Sequence, residues 1–161
     1  MCFDPRRGES VRVKGIVRSS LIEYPGHIAD VLFVGGCNFR CVYCYNRDLV
    51  LNHDSLPDLP HDQLLGRSEQ RGRFVDGIVV SGGEPTLQPG LEHFLTLARG
   101  QRLCIKLDTN GYRPDVLRRC LDAGLVDYVA MDLKAPLDER YETLCGTPVC
   151  LGAIRATMAL L

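Results

Sequence analysis

A strand-and-helix unit recurs along the second half of this chain. Residues 76–80 form a short apolar run, which is typical of a buried strand. A helix face at i, i+3, i+4, i+7 spacing follows and ends at Gly100; its members are Leu91, Phe94, Leu95 and Ala98. Further strands are predicted at residues 102–107 and 128–131. Strands that alternate with helices predict a parallel α/β sheet or barrel, in which the strands end at one common edge.

Three more helices are predicted in the same half of the chain. They are a helix with the apolar face Val116, Leu117, Cys120 and Leu121, a short segment at 138–145, and a last helix with the face Ile154, Thr157, Met158 and Leu161. The first of these is closed by Gly124, because glycine is the residue that most readily ends a helix.

The first half of the chain predicts two strands and a loop. Residues 11–20 and 29–36 are rich in β-branched residues, and a turn is predicted between them at residues 24–26. Residues 53–73 contain prolines and glycines among polar residues. They predict a loop with at most one short helix near residues 62–67.

The composition is that of an ordinary globular domain except for its cysteines. The 161 residues, 45% hydrophobic and 24% charged, suffice for one domain with a sizeable core. A net charge of −1 argues against a nucleic-acid binder with a broad basic field. The chain lacks the ~18 consecutive apolar residues of a membrane span, and residues 1–10 lack the apolar core of a secretion signal. We therefore expect a cytoplasmic protein, where eight cysteines favour metal or redox chemistry over disulfides.

Polar clusters follow the strands at the points where the strands end. They are Gly35-Gly36-Cys37, Ser81-Gly82-Gly83-Glu84, Asp108-Thr109-Asn110-Gly111 and Asp132-Leu133-Lys134. Active sites of α/β proteins lie at this carboxyl edge of the sheet. Alternation along one strand also puts Lys106 and Asp108 on the same face. Because a buried lysine and aspartate need partners or a ligand, we expect one polar site at this edge.

The strongest local signal is the run from Cys37 through Cys41 to Cys44, a C-x3-C-x2-C pattern. Thiolates are soft ligands that suit zinc and iron–sulfur clusters. A [4Fe–4S] cluster bound entirely by protein takes four thiolates, so three thiolates leave one iron free for another ligand.

Three other interpretations compete with this one. The i, i+4, i+7 spacing also fits one face of a helix with buried cysteines. A structural zinc site needs a fourth ligand, such as His53 or Cys104. An electron-carrier cluster needs one more cysteine, which is Cys104, Cys120, Cys145 or Cys150. Otherwise we expect Cys104 and Cys120 to be core residues, and Cys145 and Cys150 to be free thiols.

With an aromatic residue before its last cysteine, the run resembles the signature of the radical S-adenosylmethionine (radical SAM) superfamily. Gly-Gly-Glu-Pro at residues 82–85 strengthens the resemblance. The resemblance implies a partial (β/α) barrel and a [4Fe–4S] cluster held by Cys37, Cys41 and Cys44. It further implies that the free iron chelates the amino and carboxylate groups of S-adenosylmethionine.

The resemblance also assigns two of the contacts to S-adenosylmethionine. The aromatic residue before the third cysteine lies near the adenine in this superfamily, and here it is Tyr43. The Gly-Gly-Glu motif holds the methionine amino group, and here it consists of Gly82, Gly83 and Glu84.

The later strand ends resemble the glycyl-radical-enzyme activating branch of the superfamily. In that branch the residues that correspond to Asp108, Asp132 and Lys134 line the S-adenosylmethionine pocket. Relatives also hold a monovalent cation beside the substrate carboxylate. By position, its ligands here are Asp108, Thr109, Asp132 and the carbonyl of Ala130.

Segments 20–26 and 36–50 narrow the resemblance to activating proteins of anaerobic ribonucleoside-triphosphate reductase, although Tyr45 stands where close relatives commonly have His. The implied reaction cleaves S-adenosylmethionine with one electron to methionine and a 5′-deoxyadenosyl radical, which takes a hydrogen from a glycine of the reductase. Flavodoxin or ferredoxin is the implied electron donor. Two alternatives stay open: another radical SAM enzyme that acts on a small molecule or peptide, and a non-catalytic iron–sulfur or zinc module.

The predicted barrel is incomplete. Barrels of this superfamily have more βα units than the four predicted here, and the sequence ends inside an apolar helical pattern. We therefore expect a single domain over residues 1–161 that is truncated at its C-terminus.

Overall fold

The computed structural model of the chain describes residues 10–65 and 74–161. The prediction about a secretion signal at residues 1–10 therefore lies almost entirely outside the described residues. So does the end of the short helix predicted near residues 62–67. None of the described helices is both long and apolar enough to span a bilayer.

One five-stranded sheet forms the centre of the fold. Its strands are β1 (Val13–Ser20), β2 (Ala29–Val34), β3 (Gly77–Gly82), β4 (Cys104–Thr109) and β5 (Tyr128–Met131). They lie in the order β1-β2-β3-β4-β5, so each strand pairs with its neighbours in sequence. β1 pairs antiparallel with β2, whereas β2 to β5 are parallel. Because β2 to β5 run in the same direction, their carboxyl ends meet at one edge, as the sequence predicts.

Helices follow the parallel strands. They are α1 (Arg47–Leu51), α2 (His61–Leu64), α3 (Leu91–Gly100), α4 (Pro114–Asp122), α5 (Arg140–Cys145) and α6 (Leu151–Met158), with 3-10 turns at His53–Ser55 and Pro85–Leu87. Each of β2 to β5 is followed by helix, which gives the four βα units predicted from the sequence. The fold is therefore a mixed α/β sheet of the partial-barrel kind.

The two faces of the sheet are buried differently. Ile78 and Ile105 face the main core, where they pack with α3 and α4 residues such as Phe94 and Leu117. Each such fully buried side chain contributes about 1.5–3 kcal/mol through its burial. On the opposite face, Val79 packs in a smaller apolar cluster of its own. The alternation inferred along the strands thus sorts the side chains between two faces.

Several predicted boundaries shift by a few residues. β4 begins at Cys104 rather than at residue 102, because Arg102 adopts a left-handed backbone with φ of 60° that ends the preceding turn. α5 begins at Arg140 instead of residue 138. In the last helix, Ile154 and Thr157 are buried, but Met158 and Leu161 are exposed, so the predicted apolar face is only half right.

Candidate functional site

A cavity of about 260 Å³ lies at the carboxyl edge of the parallel strands. Its wall is formed by the loop after β2 and by the ends of β3, β4 and β5. All ten site residues predicted from the sequence line this cavity: Cys37, Cys41, Tyr43, Cys44, Gly82, Gly83, Glu84, Asp108, Asp132 and Lys134. The structure therefore brings the four strand ends together, while the role of each residue stays a prediction.

The segment that carries the three cysteines is a loop. α1 begins only at Arg47, so the interpretation of the cysteines as one helix face is wrong. The loop pairs with the end of α5, since the backbone N–H of Arg40 donates to the carbonyl of Cys145 at 2.7 Å. The Arg40 guanidinium also donates to the carbonyls of Cys37 and Phe39. These bonds replace the internal hydrogen bonds that a helix would supply.

The three thiols differ in burial and setting. Cys41 is buried, whereas Cys37 and Cys44 are half-buried. Burial raises the pKa of Cys37 to about 11, although the backbone N–H of Phe39, 3.4 Å from Sγ, opposes that rise.

Among the described residues, no set of three His, Cys, Asp or Glu side chains converges on a single metal ion. Three thiols spread along one cavity wall instead fit a polynuclear cluster, whose irons are bound by separate thiolates.

Of the five candidate fourth ligands, His53 lies beside Gly36 at the start of the loop, where a Cβ on Gly36 would be 3.6 Å from its Nε2, but it does not line the cavity. Cys145 also lies near the loop. It packs in the same apolar cluster as Cys41, but it does not line the cavity. Burial and the neighbouring Cys41 thiol raise the pKa of Cys145 to about 12, which favours the neutral thiol. This placement agrees with a thiol that is not a ligand.

The other three candidate cysteines lie elsewhere. Cys120 belongs to the main core, as predicted, and Cys150 is exposed. Cys104 is only half-buried and begins β4, so it stands at the opposite edge of the sheet, about 13 Å of strand from Asp108. Cys104 is therefore too distant to complete a metal site with the loop.

The glycines at the end of β3 let two strand ends approach closely. Gly82 has φ of 109°, and a Cβ there would come within 2.5 Å of the backbone nitrogen of Val34. A Cβ on Gly83 would overlap the carbonyl oxygen of Gly36. The contact that requires glycine at these two positions is thus with the β2 end.

Glu84 is fully buried and its carboxylate is bound by protein donors. Oε1 accepts hydrogen bonds from the backbone and hydroxyl of Thr86 and from the Thr109 hydroxyl. Oε2 accepts from the backbone N–H of Asn110 at 2.7 Å. Burial raises the pKa of Glu84, and these donors work against the rise. Glu84 thereby joins the end of β3 to the end of β4.

Both aspartates of the later strand ends are paired with lysines. Asp108 lies 2.6 Å from Nζ of Lys106, and Asp132 lies 2.7 Å from Nζ of Lys134. Burial alone would lower the pKa of Lys134, but the hydrogen bond to Asp132 and the charges of Asp132, Cys41 and Tyr43 together outweigh it, and the pKa is raised. Because the carboxylates already hold ammonium groups and Thr109 donates to Glu84, these contacts give no support to the predicted cation site.

Tyr43 links the cysteine loop to the end of β5. Its hydroxyl donates to the carbonyl of Lys134 at 2.9 Å, and 46% of the residue's surface stays exposed. The backbone N–H of the same residue, Lys134, donates to the hydroxyl of Tyr141 at 3.3 Å. Two tyrosines thus fix the β5 end against the loop.

Sequence reasoning gave no role to three asparagines at this edge. Asn46 lines the cavity, and its side-chain amide lies 3.5 Å from the carbonyl of Gly82. Asn38 and Asn110 bond to each other beside Cys37. Only their position in the sequence could have indicated them. Asn38 and Asn46 lie within two residues of a cysteine, and Asn110 stands at a strand end.

Comparison with known proteins agrees with this geometry. The family model of the radical SAM superfamily matches residues 31–158. A Methanocaldococcus jannaschii protein, provisionally described as a glycyl-radical enzyme activating enzyme, is 37% identical over 131 residues, which cover 81% of this chain and 53% of that protein.

Two further relatives have more specific descriptions. The pyruvate formate-lyase 1-activating enzyme of Escherichia coli K12 is 29% identical, over 84% of this chain and 56% of its own length. The 7-carboxy-7-deazaguanine synthase of Neisseria meningitidis is 31% identical, over 70% of this chain and 46% of its own. The chain spans about half the length of these relatives. It belongs to the radical SAM superfamily, and its similarities support the glycyl-radical-enzyme activating branch.

Proposed function

We propose that the protein is a radical SAM activase that generates a glycyl radical on a partner enzyme, with anaerobic ribonucleoside-triphosphate reductase as that partner. The observation that carries the proposal is the single cavity that all ten predicted site residues share. Similarity to two described activating enzymes supports the activase branch. The choice of the reductase rests on the resemblance of segments 20–26 and 36–50.

Cys37, Cys41 and Cys44 are the residues that would hold a [4Fe–4S] cluster. All three line one cavity. Cys145 packs in the same apolar cluster as Cys41 but does not line the cavity. When bound, the cluster and S-adenosylmethionine supply a one-electron cleavage that yields a carbon radical able to take hydrogen from glycine. The protein itself positions these groups and keeps side reactions out.

The remaining wall matches the charges of S-adenosylmethionine. This ligand carries an ammonium group, a carboxylate and a sulfonium. The cavity wall carries Asp108 and Asp132, each paired with a lysine, and the ammonium of Lys134, so both signs of charge stand at the wall. Gly82 and Gly83 contribute backbone to the wall, and the ring of Tyr43 is available beside it for the adenine. Glu84 also joins the β3 and β4 ends, because its carboxylate accepts hydrogen bonds from Thr86, Thr109 and the backbone N–H of Asn110.

The rim of the cavity is open to a macromolecular partner. Tyr43 and Tyr45 line the cavity and are exposed, Tyr45 fully so. We place the protein in the cytoplasm, where flavodoxin or ferredoxin provides low-potential electrons. A glycine-bearing loop of the partner would approach over this rim.

The decisive experiment is anaerobic reconstitution of the chain with iron and sulfide. We expect the EPR signal of the reduced cluster to change on addition of S-adenosylmethionine, and 5′-deoxyadenosine to form. Incubation with anaerobic ribonucleoside-triphosphate reductase should then produce a glycyl-radical EPR doublet, and pyruvate formate-lyase in the same assay should give none. A cluster whose EPR signal does not change on addition of S-adenosylmethionine would refute the enzyme assignment.

A second candidate function is radical chemistry on a small molecule. The similarity to 7-carboxy-7-deazaguanine synthase favours it, because that relative covers 70% of this chain. Formation of 5′-deoxyadenosine without a glycyl radical on either partner enzyme would support this candidate over the activase.

A further inference from the structure

Asn110 lies between the cysteine loop and the end of β4. The residue is only 5% exposed and borders the cavity directly after Thr109. Its side-chain nitrogen Nδ2 donates to Oδ1 of Asn38 at 2.9 Å. The same nitrogen lies 3.8 Å from Sγ of Cys37, within hydrogen-bond range for sulfur. An amide nitrogen carries two hydrogens, so it can serve both acceptors at once.

The orientation of the Asn110 amide is fixed by a third contact. Its oxygen Oδ1 accepts a hydrogen bond from the backbone N–H of Tyr112 at 3.0 Å. A flipped amide would turn Nδ2 toward that N–H and leave two donors facing each other. The nitrogen must therefore point toward Cys37.

The backbone of Asn110 is held as firmly as its side chain. The N–H of Asn110 donates to the buried carboxylate of Glu84. This bond sets the position of the residue relative to the end of β3. The N–H···S contact is therefore part of a connected network from Glu84 through Asn110 to Cys37, rather than an accidental approach of a surface side chain.

We propose that Asn110 is a positioning residue that donates an N–H···S hydrogen bond to the Cys37 thiolate and thereby raises the reduction potential of the bound cluster. The proposal rests on the proposed function, in which Cys37 is a cluster ligand. Reduction adds negative charge to the cluster and its sulfurs, and the positive end of an N–H dipole stabilises that charge. The backbone N–H of Phe39 donates to the same sulfur at 3.4 Å.

The test measures the midpoint potential of the reconstituted cluster by EPR-monitored redox titration at pH 8, together with iron content. Asn110→Leu removes the donor with a side chain of similar size that still excludes water. Asn110→Asp removes the donor but keeps the acceptor for the Tyr112 N–H. We expect both variants to bind iron as the wild type does and to have a more negative midpoint potential.

Asn52→Ala is the matched control. Asn52 is an exposed asparagine whose side-chain amide donates to Asp48, away from the cysteines, so its loss should leave the potential unchanged. If Asn110→Leu and Asn110→Asp bind the cluster at the wild-type potential, this inference is overturned and the proposed function stands. If the wild-type chain itself binds no cluster, the proposed function fails, and the inference fails with it.

Discussion

Glu84 accepts a hydrogen bond from the backbone N–H of Asn110, 26 residues further along the chain, at 2.7 Å. The bond crosses from the end of β3 to the residue after β4, and both residues are buried. A buried carboxylate is costly unless donors compensate it, and here four donors do so. The shape of the cavity edge therefore depends on this carboxyl group and its donors.

We predict that Glu84→Gln destabilises the protein by about 1–3 kcal/mol, because the new amide turns its own N–H groups toward donors and leaves them unsatisfied. Chemical denaturation under anaerobic conditions measures the free energy of unfolding. Glu92→Gln is the control, since Glu92 forms an exposed ion pair with Arg119 and should cost no more than about 0.5 kcal/mol. Equal losses in the two variants would contradict the role given to Glu84.

Gly83 is a second position where the cavity edge is sensitive to substitution. An added Cβ would overlap the carbonyl oxygen of Gly36, which is backbone and cannot rotate away. We predict that Gly83→Ala forces the ends of β2 and β3 apart and lowers the free energy of unfolding by about 1–3 kcal/mol. Denaturation curves measure the loss.

Gly100→Ala provides the matched comparison. Gly100 is the last residue of α3, and a Cβ there would meet no atom within 4 Å. Alanine is favoured over glycine in a helix, so this variant should be neutral or more stable by up to about 1 kcal/mol. A Gly83→Ala protein as stable as Gly100→Ala would show that the two strand ends can separate at little cost.

The main features of the fold could be predicted from the sequence because local signals were strong. β5 matches its predicted range from Tyr128 to Met131, and α3 ends at Gly100 as its spacing indicates. The antiparallel pairing of β1 carried no such signal. It is supported by Asp30, a fully buried residue of β2 that binds the guanidinium of Arg18 and the backbone N–H of Ser19. A sequence pattern cannot show that an aspartate inside an apolar strand has found these partners.

The location of the site residues could be predicted from the sequence, whereas their contacts could not. Strand ends of parallel strands must converge, so Asp108 and Asp132 had to lie near the cysteine loop. Each aspartate pairs with a lysine two residues away, and this pairing depends on side-chain conformation. The cysteine run forms a loop because it bonds to the end of α5. Both are tertiary effects that spacing alone does not encode.

The three-cysteine assignment makes a direct prediction about iron. Cys41→Ala should abolish cluster binding, whereas Cys145→Ala and Cys150→Ala should retain it. The reason is that Cys41 lines the cavity, but Cys145 does not and Cys150 is exposed at the start of α6. Iron and acid-labile sulfide are measured after anaerobic reconstitution. Loss of iron in the Cys145→Ala variant would favour a four-cysteine electron carrier.

Tyr43 permits a test that separates its ring from its hydroxyl. If the ring stacks beside the adenine, Tyr43→Ala should weaken binding of S-adenosylmethionine about tenfold or more, because stacking of a base on an aromatic side chain contributes about 1–3 kcal/mol. Tyr43→Phe keeps the ring and loses only the hydrogen bond to the Lys134 carbonyl, so its affinity should fall by no more than about threefold.

Equilibrium dialysis with the reconstituted protein measures these dissociation constants. Tyr128→Ala is the control, because Tyr128 is nearly as exposed as Tyr43 but begins β5 at the opposite edge of the sheet. Its affinity for S-adenosylmethionine should equal that of the wild type. If Tyr43→Phe weakens binding as much as Tyr43→Ala does, the hydroxyl that anchors the β5 end is the part of Tyr43 that matters, and the ring is not beside the adenine.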